Sequence, residues 1–300
     1  MHHHTHHHHH HHAPASLSAI FIICITLNMA FVLVEAGVGF IYHSLGLLSD
    51  ASHNLSDVFS LLLSFFAIQM AKRHSNRHFT YGYKKSTILA SLINALVLLV
   101  VVGAILVESI YKLRNPVDIS GEAISWTAGI GILINGATAW LLMKNQKYDL
   151  NVKGAFLHMA MDTLVSVGVV ISGIIISVTG FVMIDAFISL AIATIILFST
   201  WGLLKESIYL SMDAVPSGID QDKIEKTLSE VPGIDSWHHL HIWAVSTTEN
   251  AATLHVVLKD ISEMDKIKQL IKEALHHNNI QHITIECETN ESSCKDKTCC

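Results

Sequence analysis

The chain has 300 residues, 51% of them hydrophobic and only 15% charged, with a formal net charge of −6. Soluble domains carry about 25% charged residues, so this composition predicts a membrane protein with a soluble part. It gives no signature of a nucleic-acid binder. Of the 22 histidines, ten fall in the first twelve residues. The polyhistidine start lacks a basic n-region and predicts no cleavable signal peptide.

Residues 1–16 form a His-rich tail. Met1–His12 reads either as a purification tag or as a disordered metal-catching tail at a membrane surface, with Thr5 interrupting the run. Residues 17–206 hold six segments long enough to cross roughly 30 Å of hydrocarbon, which takes about 20 residues each. They are Leu17–Ile41, Leu47–Ala71, Thr87–Tyr111, Ala123–Met143, Val152–Val178 and Met183–Leu204. Orientation follows from the short loops. The loop after segment two holds Lys72, Arg73, Arg77, Lys84 and Lys85, and the loop after segment four holds Lys144, Lys147 and Lys153. The first and fifth loops hold no Lys or Arg, and the third only Lys112 and Arg114. Both termini are therefore expected in the cytoplasm.

Residues 207–220 read as a connector containing Pro216 and Gly218, and 221–289 as a soluble domain. Gln221–Glu230 is an amphipathic helix with Ile224 and Leu228 on one face. Trp237–Ser246 alternates as a strand, with Leu240, Ile242 and Ala244 on one side and His239, His241, Trp243 and Val245 on the other. Thr253–Lys259 is a second strand, Ser262–His277 a second helix and Ile280–Glu288 a third strand. The order αββαβ fits a small α+β sandwich with helices on one face of the sheet. So small a core favours dimerisation. Cys24 sits in the first apolar segment, while Cys287, Cys294, Cys299 and Cys300 crowd the C-terminus. Residues 290–300 are a Cys-containing tail, read as reduced and cytosol-facing, either binding a soft metal or simply frayed.

Ionisable groups inside spanning helices are costly, roughly 2.5–3.5 kcal/mol for a mid-helix Asp on insertion scales. Segment two nevertheless carries Asp50, His53, Asp57, Ser60 and Ser64 at alternating three- and four-residue steps, one polar stripe on an apolar helix. Segment five carries His158, Asp162 and Ser166 at four-residue steps, and segment one carries Asn28 and Glu35. Asp50 and Asp185 fit helix N-terminal caps, and Asn28 and Glu35 fit interhelical hydrogen bonding. The repeated His-x-x-x-Asp goes further. Residues four apart share a helix face, so His53 with Asp57 and His158 with Asp162 can each aim an imidazole and a carboxylate at one point. Two nitrogens and two oxygens suit Zn²⁺, and two Asp charges cancel those of the ion. Imidazole binds metal only when neutral, so protons and metal compete for the site, which is what an exchanger requires. One difficulty stands: the two helices enter the membrane from opposite sides, which leaves the motifs at unequal depth unless tilt or an offset brings them level.

These stretches carry a resemblance. Asn28-Met29-Ala30-Phe31-Val32-Leu33-Val34-Glu35, the run from Ser44 to Asp57, Phe79-Thr80-Tyr81-Gly82-Tyr83, His158-Met159-Ala160-Met161-Asp162 and His239-Leu240-His241-Ile242-Trp243 resemble the cation diffusion facilitator family, zinc-transporter type. The resemblance implies a homodimeric metal/proton antiporter with six spanning helices and a cytoplasmic metallochaperone-like domain. Its transport site would be His53, Asp57, His158 and Asp162. It also implies metal in the cytoplasmic domain, with His238, His255, Glu286 and Glu288 as candidates, although strand-face histidines have a plain structural reading too. There are departures. The loop after segment two is basic where some relatives bind metal, Lys84-Lys85-Ser86 lacks the usual acid, and Lys144–Asn151 has no histidine. That last absence points to a bacterial inner membrane rather than a eukaryotic one. The expected function is therefore export of Zn²⁺, or of Cd²⁺, Co²⁺ or Fe²⁺, in exchange for protons, with no prosthetic group and no catalytic residues.

Two other classes compete. A cation channel or metal-sensing receptor without proton coupling would leave the paired ligand sets unexplained. A metallohydrolase would need an open coordination position and a general base, and no His-Glu-x-x-His is present.

Overall fold

The computed structural model describes residues 15–41, 45–114, 121–181 and 183–289. The polyhistidine run and Cys294, Cys299 and Cys300 lie outside the described residues, as do the side chains of Asp50, His53 and Asp185. Six long helices come first: α1 (Ala15–Ile41), α2 (Leu45–Ala71), α3 (Ser86–Arg114), α4 (Gly121–Met143), α5 (Leu150–Thr179) and α6 (Ile184–Ser211). Among the described residues, Leu17–Val38, Ser86–Tyr111 and Ala186–Ser211 are long and apolar enough to cross a membrane. Asp57–Ala71 of α2 and Gly129–Met143 of α4 are shorter apolar stretches.

The helices are followed by α7 (Gln221–Glu230), β1 (Ile234–Ala244), β2 (Asn250–Leu258), α8 (Met264–His276) and β3 (His282–Glu288). The chain is thus a helical membrane protein carrying an αββαβ domain. It divides into two compact units. The first takes Met1–Phe66, Val101–Lys147 and Ala155–Ile196, and the second Ala67–Val100, Tyr148–Gly154 and Leu197–Cys300.

In the first unit, helices meet through small or polar residues, as expected where lipid removes the hydrophobic drive for association. The Asn28 carboxamide donates to the Thr138 hydroxyl on α4 (3.0 Å) and to the Cys24 carbonyl (2.9 Å), the interhelical role anticipated for it. At Gly168 of α5, an added Cβ would fall 2.7 Å from Ile192 Cδ1 and 2.9 Å from Ile188 Cγ2 on α6. Only a glycine lets these helices approach so closely.

In the second unit the sheet runs β1-β2-β3, antiparallel between β1 and β2 and parallel between β2 and β3. A parallel pair needs a crossover, which α8 supplies. The core gathers Ile224 and Leu228 of α7, Ile267, Ile271 and Leu275 of α8, and Ile242, Leu254 and Val256 of the sheet. Asp220 caps α7 by accepting from the Lys223 amide. The same unit holds helix ends. Ser91 of α3 and Ser207 of α6 share a buried hydroxyl contact of 2.9 Å. Asp149, just before α5, accepts from the Asn151 amide at 2.7 Å as an N-terminal cap. Burial pushes its carboxyl above the ordinary value, opposed by bonds from Asn151 and Val152. The β1–β2 turn reaches these ends: the Thr247 amide donates to the Thr87 hydroxyl (3.1 Å), and Lys84 pairs with Glu249.

Strand β1 departs from the expected simple alternation. Its pairing with β2 shifts between His238 and His241, and His239 has φ +51°. Two residues on β1 therefore oppose one on β2, a β-bulge. Downstream the anticipated pattern holds, with Ile242 and Ala244 buried and His241 exposed. Upstream the parity flips. Alternation alone would put His238 on the core side with Leu240, yet it sits beside His255.

Candidate metal centres

The first cluster lies within the helical unit. Asp57, near the middle of α2, is fully buried, and Ser60 and Ser64 of the same stripe are buried with it. His158 and Asp162, in the third and fourth turns of α5, are also buried. His158 Nε2 lies 2.6 Å from Asp57 Oδ1 and 3.7 Å from Asp162 Oδ2. One donor atom from each of the three fits within 4.8 Å of the others. Packing thus absorbs the unequal depth that spacing left between the motifs. His53 is one helical turn before Asp57 on α2, and its side chain lies outside the described residues.

The neighbouring α1 contributes Glu35, also buried, whose Oε2 accepts from Asn54 Nδ2 at 2.8 Å. Asn54 follows His53 directly, so this bond ties the His53–Asp57 stretch of α2 to α1. Spacing placed Glu35 on a polar face but gave no means of pairing it with Asn54.

A second cluster sits on the sheet. His238 of β1 and His255 of β2 are direct cross-strand partners, and Glu286 of β3 lies beside His255 in the parallel register. His255 Nδ1 is 2.7 Å from Glu288 Oε1, and His255 Nε2 is 3.5 Å from Glu286 Oε2. His238 Nε2 is 3.5 Å from Glu288 Oε1. His255 thus has a carboxylate at each ring nitrogen, and this set of nitrogen and oxygen donors could hold a cation. The bulge adds a member that strand alternation missed. It turns the His239 ring to 4.9 Å from that of His238 and 5.0 Å from that of His255, centroid to centroid. The sequence signal, in hindsight, was two adjacent histidines in one strand, which only a bulge can place on one face.

Family comparison agrees with this architecture. Residues 21–210 match the cation efflux transmembrane domain, and residues 216–290 match the cytoplasmic domain of cation efflux proteins. The chain belongs to the cation efflux family. Among curated members of that family, it is similar to the cadmium, cobalt and zinc/H(+)-K(+) antiporter of Bacillus subtilis (strain 168), at 35% identity over 90% of this chain and 88% of that protein. It is 36% identical to the metal cation efflux system protein CzcD of Cupriavidus metallidurans, over 89% of this chain and 85% of that one. It is 34% identical to the zinc transporter ZitB of Escherichia coli (strain K12), over 86% and 83% respectively. This cation efflux chain thus spans most of each relative's length.

Proposed function

We propose that the chain exports Zn²⁺ from the cytosol in exchange for protons, with Cd²⁺ and Co²⁺ as further substrates. The observation that carries the reading is the buried Asp57–His158–Asp162 cluster, formed by two helices of an efflux-family transmembrane domain. His53 is the fourth ligand in this proposal, one turn from Asp57 on the same helix. Two imidazoles and two carboxylates give the tetrahedral N/O set that Zn²⁺ accepts. With the ion present the two Asp charges are balanced, so the loaded site can sit in a low-dielectric membrane. When the ion leaves, protons on the imidazoles and carboxylates take over that balancing, which makes release and protonation one event. The relatives, a cadmium, cobalt and zinc/H(+)-K(+) antiporter and a zinc transporter, support both the metal class and the proton coupling.

The same proposal assigns the membrane orientation and the assembly. Both termini face the cytoplasm of a bacterial cell, as the basic loops require, and the chain works as a homodimer. The boundaries proposed from sequence, a membrane domain at 17–206 and a soluble domain at 221–289 joined by 207–220, go with it. His238, His239, His255, Glu286 and Glu288 would hold a structural zinc ion on the sheet, supported by the two carboxylates that face His255.

The test is zinc uptake into proteoliposomes bearing a pH-sensitive dye. Wild type should move zinc and protons in opposite directions, and His158→Ala should abolish both. Zinc flux without any proton signal would favour a channel instead, and unchanged coupled flux in His158→Ala would overturn the assigned site.

A further inference from the structure

Between α2 and α3, residues 72–85 carry Lys72, Arg73, Arg77, Lys84 and Lys85 with no acidic residue. The two ends of this loop do different work. Lys84 pairs with Glu249, Lys85 pairs with Asp213, and the Tyr81 ring sits edge-on to His282 at 5.7 Å. Those contacts face the α+β domain and the connector that leads into it. At the other end Arg73, His74, Arg77 and His78 are exposed. Among the described residues, no carboxylate lies within ion-pair distance of Arg73 or Arg77.

That end is folded, not slack. Asn76 Oδ1 accepts from the amides of His78 (2.9 Å) and Phe79 (2.8 Å), and the Asn76 amide donates to the Phe79 carbonyl (3.0 Å). Gly82, at φ +73°, lets the returning strand press on the Arg73 carbonyl, which a Cβ would meet at 2.9 Å. The result is a fixed tip that presents two guanidiniums and the Phe79 ring, half exposed and tilted by 37° against the Tyr83 ring at 4.7 Å.

The location supplies the partner. The tip follows the apolar stretch Asp57–Ala71 and precedes the span Ser86–Tyr111, so it emerges at a membrane surface. It does so on the side of the domain that matches the family's cytoplasmic domain. Charges that only set topology need neither a built turn nor an exposed aromatic ring. We propose that residues 73–79 form a docking surface for anionic phospholipid of the cytoplasmic leaflet. Arg73 and Arg77 take the headgroup phosphate, for which a guanidinium offers paired donors, and Phe79 enters the acyl boundary as interfacial aromatics do.

The experiment places the full chain in nanodiscs of mixed phosphatidylglycerol and phosphatidylcholine, with each lipid spin-labelled in turn, and reads the relative association constant. Wild type should prefer phosphatidylglycerol. Arg73→Gln with Arg77→Gln should lower that preference roughly 25-fold, since each basic residue near an anionic surface contributes about fivefold. Lys144→Gln with Lys147→Gln, which removes the same charge from the other basic loop, should lower it markedly less, because those lysines share no built turn with an exposed ring. An equal loss in both double variants would reduce the effect to general charge and overturn the proposal. So would an unchanged preference in the arginine variant, with retained zinc flux showing in each case that the protein is folded.

Discussion

Asp57 shows how much rests on one charge. It is fully buried and 2.6 Å from His158, so Asp57→Asn keeps the shape and removes a quarter of the proposed ligand set. Structural zinc sites are worth roughly 10–16 kcal/mol, so losing one of four ligands should weaken zinc binding by about two orders of magnitude. Calorimetry on detergent-solubilised protein would read this directly, and an unchanged affinity would move the main site elsewhere. Cys287, on the strand between Glu286 and Glu288, offers a second residue-scale check. Partial burial raises its thiol above the ordinary value, so less thiolate exists at any given pH. Its alkylation at pH 8, followed site by site with mass spectrometry, should run slower than that of a free cysteine peptide. The metal-competent residue types could be read from the sequence because burying them in a membrane demands a reason. The Glu35–Asn54 bond could not, since nothing in the spacing on α1 fixes its rotation against α2.

At the scale of elements, periodicity located α7, β1, β2, α8 and β3 in the right order, because each buries one face against a single core. It failed inside β1. Alternation assumes an unbroken pleat, and the left-handed residue His239 breaks it. A side chain with a Cβ pays roughly 1–2 kcal/mol in that conformation. His239→Gly should therefore raise the thermal stability of the metal-free protein, and His239→Val should lower it. If His239 also helps to hold zinc, the glycine variant should gain less stability from added zinc than wild type does. A glycine variant less stable than wild type without metal would mean that the ring contacts with His238 and His255 outweigh the backbone strain.

For the whole molecule, the compact units do not follow the order of the chain. The second unit joins the α+β domain to the ends of helices that lie far from it in sequence, through Thr87–Thr247 and Lys84–Glu249, and ties α3 to α6 through Ser91–Ser207. Composition marked a change of character after Leu204 because lipid-facing and water-facing surfaces differ in residue type. It could not show which helix ends travel with the soluble domain, since those contacts use residue types that are ordinary on any surface, a lysine, a glutamate, serines and threonines. A rigid second unit predicts that spin labels at Thr80 and Lys259 keep one distance distribution with and without zinc. A shift between the two conditions would show that the unit itself deforms during transport.

The turn at 245–249 has a practical consequence for anyone exchanging parts between relatives. A chimera cut at the start of the soluble domain would sever the turn from Thr87 and Lys84 and pair it with foreign helix ends. The better graft is discontinuous, carrying residues 67–100 and 148–154 along with everything after 196. Such a graft keeps the turn with its partners more than a hundred residues upstream, so the exchangeable part here is a joint rather than a domain.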